Sequence, residues 1–400
     1  MDPMEVLTNF SQLEAFLQPI FSADEHIVIG YEILGRYKTD KGYESLGPFF
    51  SDHSVPEEYR IDVDNIILEQ ALAKLADQED ECFIFINRDP HLLMYDHGEG
   101  FLEIIKRYFP EQKMHRIVLE LSEKSFSGNM ESLLHLLTYY KTYGIKIAID
   151  HLGVDSHLDR ISAISPQILK ISLDHLKMQR WDTFADTISL WGELSRKMGA
   201  TLLFENIETV YQLQFAWRHG GRYYQGFYLA QPSPAAIGRE SLKERFKREC
   251  HSFIDSEKMS LEKKYDEKKK LQLELERCVR KSRAASGERQ PLLELAKMLE
   301  SYAFRLYVCD EDGFQKSPNF LKTNQGWSIQ EHYIDKNWSW RPYFLKTIIK
   351  MRNDQEGFLS DSYSDIETAQ TIRTFSLPLR DNEYLFIDIS YEYLYEHNIF

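Results

Sequence analysis

Short apolar runs punctuate the first 230 residues, and seven of them end on a polar side chain. These are Glu32 after HIVIGY, Asn87 after FIFI, Glu120 after IVL, Asp150 after IKIAI, Lys170 after IL, Glu205 after TLLF and Gln225 after RYY. Helix-length intervals separate most of the runs. Short apolar strands alternating with helical stretches read as an α/β barrel, whose C-terminal strand ends converge on one rim. The pattern predicts strands at 17–21, 26–36, 82–87, 116–121, 145–150, 168–172, 201–206 and 223–230. Helices are expected at 64–77 and 130–144, the second closed by Gly144 as a C-terminal cap. Gly30 and the short gap before residue 26 predict that the first two strands form a hairpin. The expected fold is therefore a TIM-like (β/α)8 barrel with one antiparallel strand, over residues 1–240.

The pattern changes after residue 240. Residues 241–285 hold no Pro or Gly and place Phe246, Phe253, Leu261, Tyr265, Leu271, Leu275 and Cys278 at roughly helical spacing among Lys and Glu. This predicts a long spacer helix (241–290, ending in the break SRAASGERQP). Lys268 interrupts the apolar seam, so a docked helix fits better than a strong coiled coil. A helix that supports a homodimer is a further expectation. Residues 291–400 read as a small α+β PAS/Cache-like domain: a helix from 292, a strand RLYVCDEDG, an aromatic-then-helical NWSWRPYFLKTIIKMR, and a hairpin around RDNE.

Charge narrows the partners. With 63 acidic and 48 basic residues, the formal net charge is −15, which disfavours DNA or RNA as a ligand. The Lys-rich run 262–270 then reads as a solvated helix face. Cys82, Cys250, Cys278 and Cys309 lie far apart with no CxxC, which fits reduced thiols in a cytoplasmic protein. The N-terminus lacks the features of a signal peptide, and no apolar run approaches the length of a membrane span.

If the seven polar residues share one pocket, Glu32, Asn87, Glu120 and Asp150 form an oxygen-rich cage suited to hard divalent cations. Lys170 can hold or polarise a water. Glu205 can complete a second metal site or accept a proton. Arg36 can reach a phosphate oxygen as a bidentate donor. The chemistry this suggests is metal-assisted hydrolysis of a phosphodiester. Gln225 remains open between a nucleotide contact and a structural amide.

YEILGR (31–36) resembles the signature of EAL-domain cyclic di-GMP phosphodiesterases, with Ile33 in place of Ala. The resemblance continues through QPIF (18–21), Asn87, ELSE (120–123), Asp150, LKI (169–171), ENIE (205–208), QG (225–226) and Pro232. The whole chain resembles a two-domain member of that family. The resemblance implies a TIM-like barrel that binds cyclic di-GMP with Mg²⁺ or Mn²⁺ and often dimerises. It implies Glu32, Asn87, Glu120 and Asp150 as ligands of the first metal and Lys170 and Glu205 as catalytic residues. Gln18, Glu32, Ile33, Leu34, Gly35, Arg36, Gln225 and Pro232 would lie at the nucleotide, and Glu123 would anchor the loop after Asp150.

The chain also departs from the pattern. Where active members read DDFGTGYSS, it reads DHLGVDSHL, so His151 replaces an Asp that binds the second metal. An imidazole suits Mn²⁺ or Zn²⁺ better than Mg²⁺, although the altered surroundings favour a plain loop role for His151. KID becomes KIS, placing Ser172 where an acid stood. AEGVE becomes FENIE, placing Asn206 where a Gly stood. These changes favour a cyclic di-GMP receptor built on a degenerate phosphodiesterase site. The alternative is an active phosphodiesterase producing 5′-pGpG under control of the C-terminal domain. A scaffold without ligand is a third reading, which the retained Glu32, Asn87, Glu120, Asp150 and Lys170 oppose. In the C-terminal domain the aromatics Trp338, Trp340, Tyr343 and Phe344 read as core. Arg341 and Asp365 are the positions to watch for a small-molecule ligand.

Overall fold

The alternating runs of the first 230 residues fold into a closed ring. The computed structural model describes residues 2–76, 82–122, 126–153, 156–174, 181–286, 292–341, 344–379 and 382–399. They divide into two compact units, Met1–His251 and Ser252–Phe400. In the first unit the strands are β1 (Leu13–Ser22), β2 (Val28–Thr39), β3 (Gly42–Ser45), β4 (Phe83–Asn87), β5 (Ile117–Leu121), β6 (Lys146–Leu152), β7 (Ile168–Ser172), β8 (Thr201–Glu205) and β9 (Tyr223–Tyr224). The order β1-β9-β8-β7-β6-β5-β4-β2 is closed by a β1–β2 pairing, and β3 lies outside the ring on β2. β1 runs antiparallel to both neighbours. The remaining pairs of the ring are parallel.

The expected barrel with one antiparallel strand is thus the fold. Two details differ from the sequence reading. β3 had no apolar signal, because all four of its residues are exposed. The run 223–230 yields only two strand residues, because Gly226 turns the chain away at once. Gly226 has φ 156°, and a Cβ there would stand 2.3 Å from the Ile207 backbone nitrogen and 2.2 Å from its oxygen. Only glycine admits that approach.

Strand geometry explains the polar rim. Phe85, Val118, Ala148, Ile168 and Leu203 form a buried layer inside the barrel. Side chains on a strand alternate faces with period two, so residues two positions later point into the same interior. Those residues are Asn87, Glu120, Asp150, Lys170 and Glu205. Burying each of Phe85, Val118, Ile168 and Leu203 contributes about 1.5–3 kcal/mol, and this layer forms the floor on which the polar one rests. The helix Glu57–Ala76 starts seven residues before the expected stretch. It buries Val63, Ile67, Leu68, Ala71, Leu72 and Leu75. The helix Met130–Thr142 is capped by Asn129, whose side chain accepts from two backbone N–H groups, and is followed by Gly144 at φ 85°, as its cap role requires.

The helix Lys243–Ser286 leads into the second unit. Its buried Phe246 lies against Phe21, His26 and Tyr224 of the barrel unit. Within the second unit, Leu271, Leu275 and Val279 join a core with Leu306, Val308, Phe375 and Leu385, while Met259, Leu261 and Tyr265 are exposed. The apolar seam therefore serves packing at its ends and not along its middle. The expected break begins inside this helix, and its residues 287–291 lie outside the described ones.

The second unit is α+β. Its strands are β10 (Ala303–Asp310), β11 (Asn319–Thr323), β12 (Gly326–Gln330), β13 (Phe358–Leu359), β14 (Tyr363–Ser364), β15 (Thr371–Pro378) and β16 (Glu383–Ile389), ordered β12-β11-β10-β16-β15-β13 with β14 on β15. The expected hairpin is β15–β16, paired antiparallel. Arg380 and Asp381 of its turn lie outside the described residues. Leu306 and Val308 face one core, and Tyr307 and Cys309 face another with Phe344, Ile348, Met351 and Phe386. Phe344 and Trp338 belong to this packing as expected, Trp340 is exposed, and Tyr343 lies outside the described residues. Among the described residues no helix is long and apolar enough to cross a membrane.

Candidate metal and nucleotide site at the barrel rim

Lys170 is the hub of the rim. Its side chain is 0% exposed, and its ammonium lies 2.9 Å from Glu120 Oε1, 3.1 Å from Glu32 Oε2, 3.3 Å from Glu205 Oε2 and 3.9 Å from Asp150 Oδ1. Asn87 Nδ2 donates to Glu32 Oε1 at 2.6 Å, and Gln225 Nε2 donates to Glu32 Oε2 at 2.6 Å. All seven strand-end residues singled out in the sequence thus meet in one cluster. For Gln225, the contact observed is to Glu32.

Four carboxylates surround one ammonium, and the electrostatics carry the strain of that imbalance. Burial, joined by repulsion from Glu32, pushes the Glu120 carboxyl well above its ordinary range, against the pull of Lys170. Burial likewise raises Glu205 to about 7. Asp150 is also buried, but Lys170 and the His151 contact outweigh burial and lower it to about 2. The four nearby carboxylates hold the buried Lys170 charged against its desolvation. Glu120 Oε2 and Glu205 Oε1, both buried, have no hydrogen-bond partner among the described residues. Buried, unpaired carboxylate oxygens around an ammonium already shared four ways fit the donor set of a divalent cation.

His151 stands at the end of strand β6, not in a loop, with φ 56°. Its backbone N–H donates to Asp150 Oδ1 and its Nδ1 lies 2.7 Å from Asp150 Oδ2. The hydrogen bond to Asp150 raises the imidazole to about 9 although 65% of the side chain is exposed. Asp150, His151 and Glu205 each offer a donor atom, all within 4.8 Å of one another.

Beside the cluster opens a cleft of about 350 Å³, within the usual range for a ligand site. Ile33, Leu34, Gly35 and Arg36 line one side of it, and Asn87, Glu120, Asp150 and His151 line the side toward the carboxylate cluster. Arg36 is half-buried, donates to the Gly35 carbonyl at 3.0 Å and lies 5.8 Å over the Phe16 ring. Gln18 is buried on β1 opposite Glu32. Pro232 precedes Ser233, whose backbone exchanges hydrogen bonds with Leu17. Neither Gln18 nor Pro232 is among the residues lining the cleft. Glu123 lies outside the described residues.

Sequence reasoning missed the cleft's remaining wall, which includes Phe50, Asp64 and Arg88. Arg88 pairs with Asp64 and donates to Asn65 Oδ1 at 3.0 Å. Burial raises the Asp64 carboxyl, against the pull of Arg88. The available signal was a cation directly following Asn87.

The EAL-domain family model matches residues 6–232, and the model of an EAL-domain associated signalling protein domain matches residues 236–400. The chain is 47% identical over 407 residues to the EAL-domain containing protein YkuI of Bacillus subtilis, covering 100% of this chain and 99% of that one. It is similar, at 46% identity and TM-score 0.94 with full coverage of both chains, to the crystal structure of Bacillus subtilis YkuI in complex with substrate c-di-GMP and calcium. It is also 24% identical over 228 residues to the probable cyclic di-GMP phosphodiesterase PdeA of Escherichia coli, covering 55% of this chain and 30% of that one. The phosphodiesterase PaMucR shares the barrel fold at 22% identity and TM-score 0.51, over 59% of this chain and 98% of that one.

Proposed function

The chain belongs to the EAL-domain family, and from that premise we propose that it is a cyclic di-GMP receptor whose barrel takes up the dinucleotide together with a divalent ion, Mg²⁺ or Mn²⁺. One observation carries the reading. Four buried carboxylates converge on a single ammonium beside a cleft of ligand-binding size, and two of their oxygens lack partners among the described residues. A relative similar over its whole length holds c-di-GMP and calcium, which supports the same reading. Glu32, Asn87, Glu120 and Asp150 would hold the ion. Bound there, it supplies Lewis-acid stabilisation to a phosphodiester oxygen. Lys170 keeps Glu32, Glu120 and Glu205 turned toward one point. Gln225 and Asn87 each hold one oxygen of Glu32, orienting its carboxylate. Arg36 offers a guanidinium to phosphate at the cleft wall, and Ile33 and Leu34 offer apolar surface.

His151 supports binding over turnover, because an imidazole held by Asp150 replaces a carboxylate that would favour Mg²⁺. A second reading, an active phosphodiesterase releasing 5′-pGpG with Glu205 as proton acceptor, is favoured by the closeness of Asp150, His151 and Glu205. The C-terminal unit would then be the regulatory partner, acting through the helix Lys243–Ser286 in a homodimer. Calorimetric titration of cyclic di-GMP in Mn²⁺, repeated in EDTA, tests the proposal. It predicts binding that EDTA abolishes; equal affinity in both buffers contradicts it.

A further inference from the structure

Two of the departures from the family pattern meet in space. Ser172 ends β7, Asn206 directly follows β8, and the register of the two strands pairs Ser172 with Glu205. Asn206 has φ 59°, the left-handed region that Asn enters more readily than most residues other than Gly. From that conformation its Nδ2 donates to Ser172 Oγ at 3.0 Å and to Asp174 Oδ2 at 2.8 Å. Ser172 Oγ donates to Asp174 Oδ2 at 3.2 Å and accepts from the Asp174 backbone N–H at 3.3 Å. The Leu173 backbone N–H donates to the Glu205 carbonyl at 3.1 Å. One amide, one hydroxyl and one carboxylate therefore tie together the rim ends of the strands that carry Lys170 and Glu205.

We infer that Asn206 and Asp174, joined through Ser172, form a clamp that positions Glu205 against Lys170 and so sets the cation affinity of the rim. The inference rests on the functional reading above. Among the described residues Glu205 holds Lys170 through one oxygen, while its other oxygen has no partner, so these contacts leave its aim loosely determined. What remains is the backbone that carries it, and the clamp closes on the next residue. The two replacements are then one unit. Asn206 keeps the left-handed backbone that a Gly would allow, and Asp174 returns a carboxylate to the end of β7 two residues beyond Ser172. Asn206 and Asp174 are both exposed, so the clamp contributes little to the core. Asn206 is a positioning residue: it touches Ser172 and Asp174, at the strand ends beside Lys170 and Glu205, and not the ion.

The test is Mn²⁺ affinity of the full chain, measured by calorimetry, with thermal unfolding of the metal-free protein alongside. Asn206→Gly, which keeps the backbone conformation and removes the amide, is expected to weaken Mn²⁺ about tenfold, the low end for groups that orient metal ligands. Asn206→Asp, which sets two carboxylates against each other, weakens it further. The swapped pair Asn206→Asp with Asp174→Asn restores one amide and one carboxylate in exchanged places and recovers most of the affinity. Metal-free melting temperatures stay close to wild type throughout. Wild-type protein that takes up no Mn²⁺ contradicts the functional reading and the clamp with it. Wild type that binds while Asn206→Gly binds equally well, or a swapped pair that fails to recover, contradicts the clamp alone.

Discussion

Glu32 is held by more of the rim's side chains than any other carboxylate of the cluster: Asn87, Gln225 and Lys170 all reach its two oxygens. Its removal leaves those donors without their acceptor and, on the proposed reading, takes a ligand from the ion. Glu32→Ala is therefore expected to lower metal-dependent binding of cyclic di-GMP at least a hundredfold by calorimetry; wild-type affinity in that variant would remove Glu32 from the ligand set. Proton linkage gives a second expectation. Glu205 is raised to about 7 from its ordinary 4.5, so below neutrality it carries a proton that a cation must displace. Mn²⁺ affinity should rise with pH between about 6 and 8 with release of protons, read by calorimetry in buffers of different ionisation enthalpy. Glu205→Gln should flatten that rise. The same shift makes Glu205 oppose folding of the metal-free chain as pH climbs from 4.5 toward 7, because the unfolded carboxyl ionises first. At this scale the sequence was highly legible. All seven strand-end polar residues reach the cluster, and five of them, Asn87, Glu120, Asp150, Lys170 and Glu205, do so because strand periodicity places them two positions beyond a core residue. Asp64, Arg88 and Asp174 were not legible, because their importance comes from neighbours far along the chain or from a turn that no apolar pattern marks.

Elements obey the same logic. β7 and β8 were legible from their apolar runs, whereas β3 is exposed throughout and β9 ends at Tyr224, two residues before the close backbone approach at Gly226. Gly226→Ala would force a Cβ into the Ile207 backbone. It is expected to cost on the order of 3 kcal/mol of stability, seen as a lower denaturation midpoint for the barrel unit. In the second unit Arg305, buried on β10, is gripped by Asp388 at 2.6 Å, Asp365 at 2.6 Å and Glu367 at 2.8 Å. The sequence reading marked Asp365 for a ligand; the structure gives it Arg305 as a partner. Arg305→Ala strands two buried carboxylates and is expected to destabilise this unit by about 3–5 kcal/mol, measured by denaturant unfolding. Burial pushes the Asp365 carboxyl up, but Arg305 outweighs it and lowers the group below its ordinary 3.8. The stability this gives is present above that value and is lost as pH falls through the folded-state value. Asp365→Asn should therefore blunt the acid unfolding of the second unit.

The molecule joins a barrel whose rim has the donors of a cation site to a small α+β unit, with one helix running from the first unit into the second. With a net charge of −15, the proposed entry of an anionic dinucleotide into a field of carboxylates needs cations at the point of contact. On the proposed reading the rim binds cyclic di-GMP with a divalent ion and leaves it intact. Equilibrium dialysis with cyclic di-GMP and Mn²⁺, both chambers analysed by chromatography, measures it most directly. The account predicts nucleotide enriched on the protein side, still cyclic, and no enrichment for Glu32→Ala. Accumulation of 5′-pGpG in proportion to wild-type protein, absent with Glu32→Ala, would contradict the receptor reading and establish an enzyme that works with His151 in place.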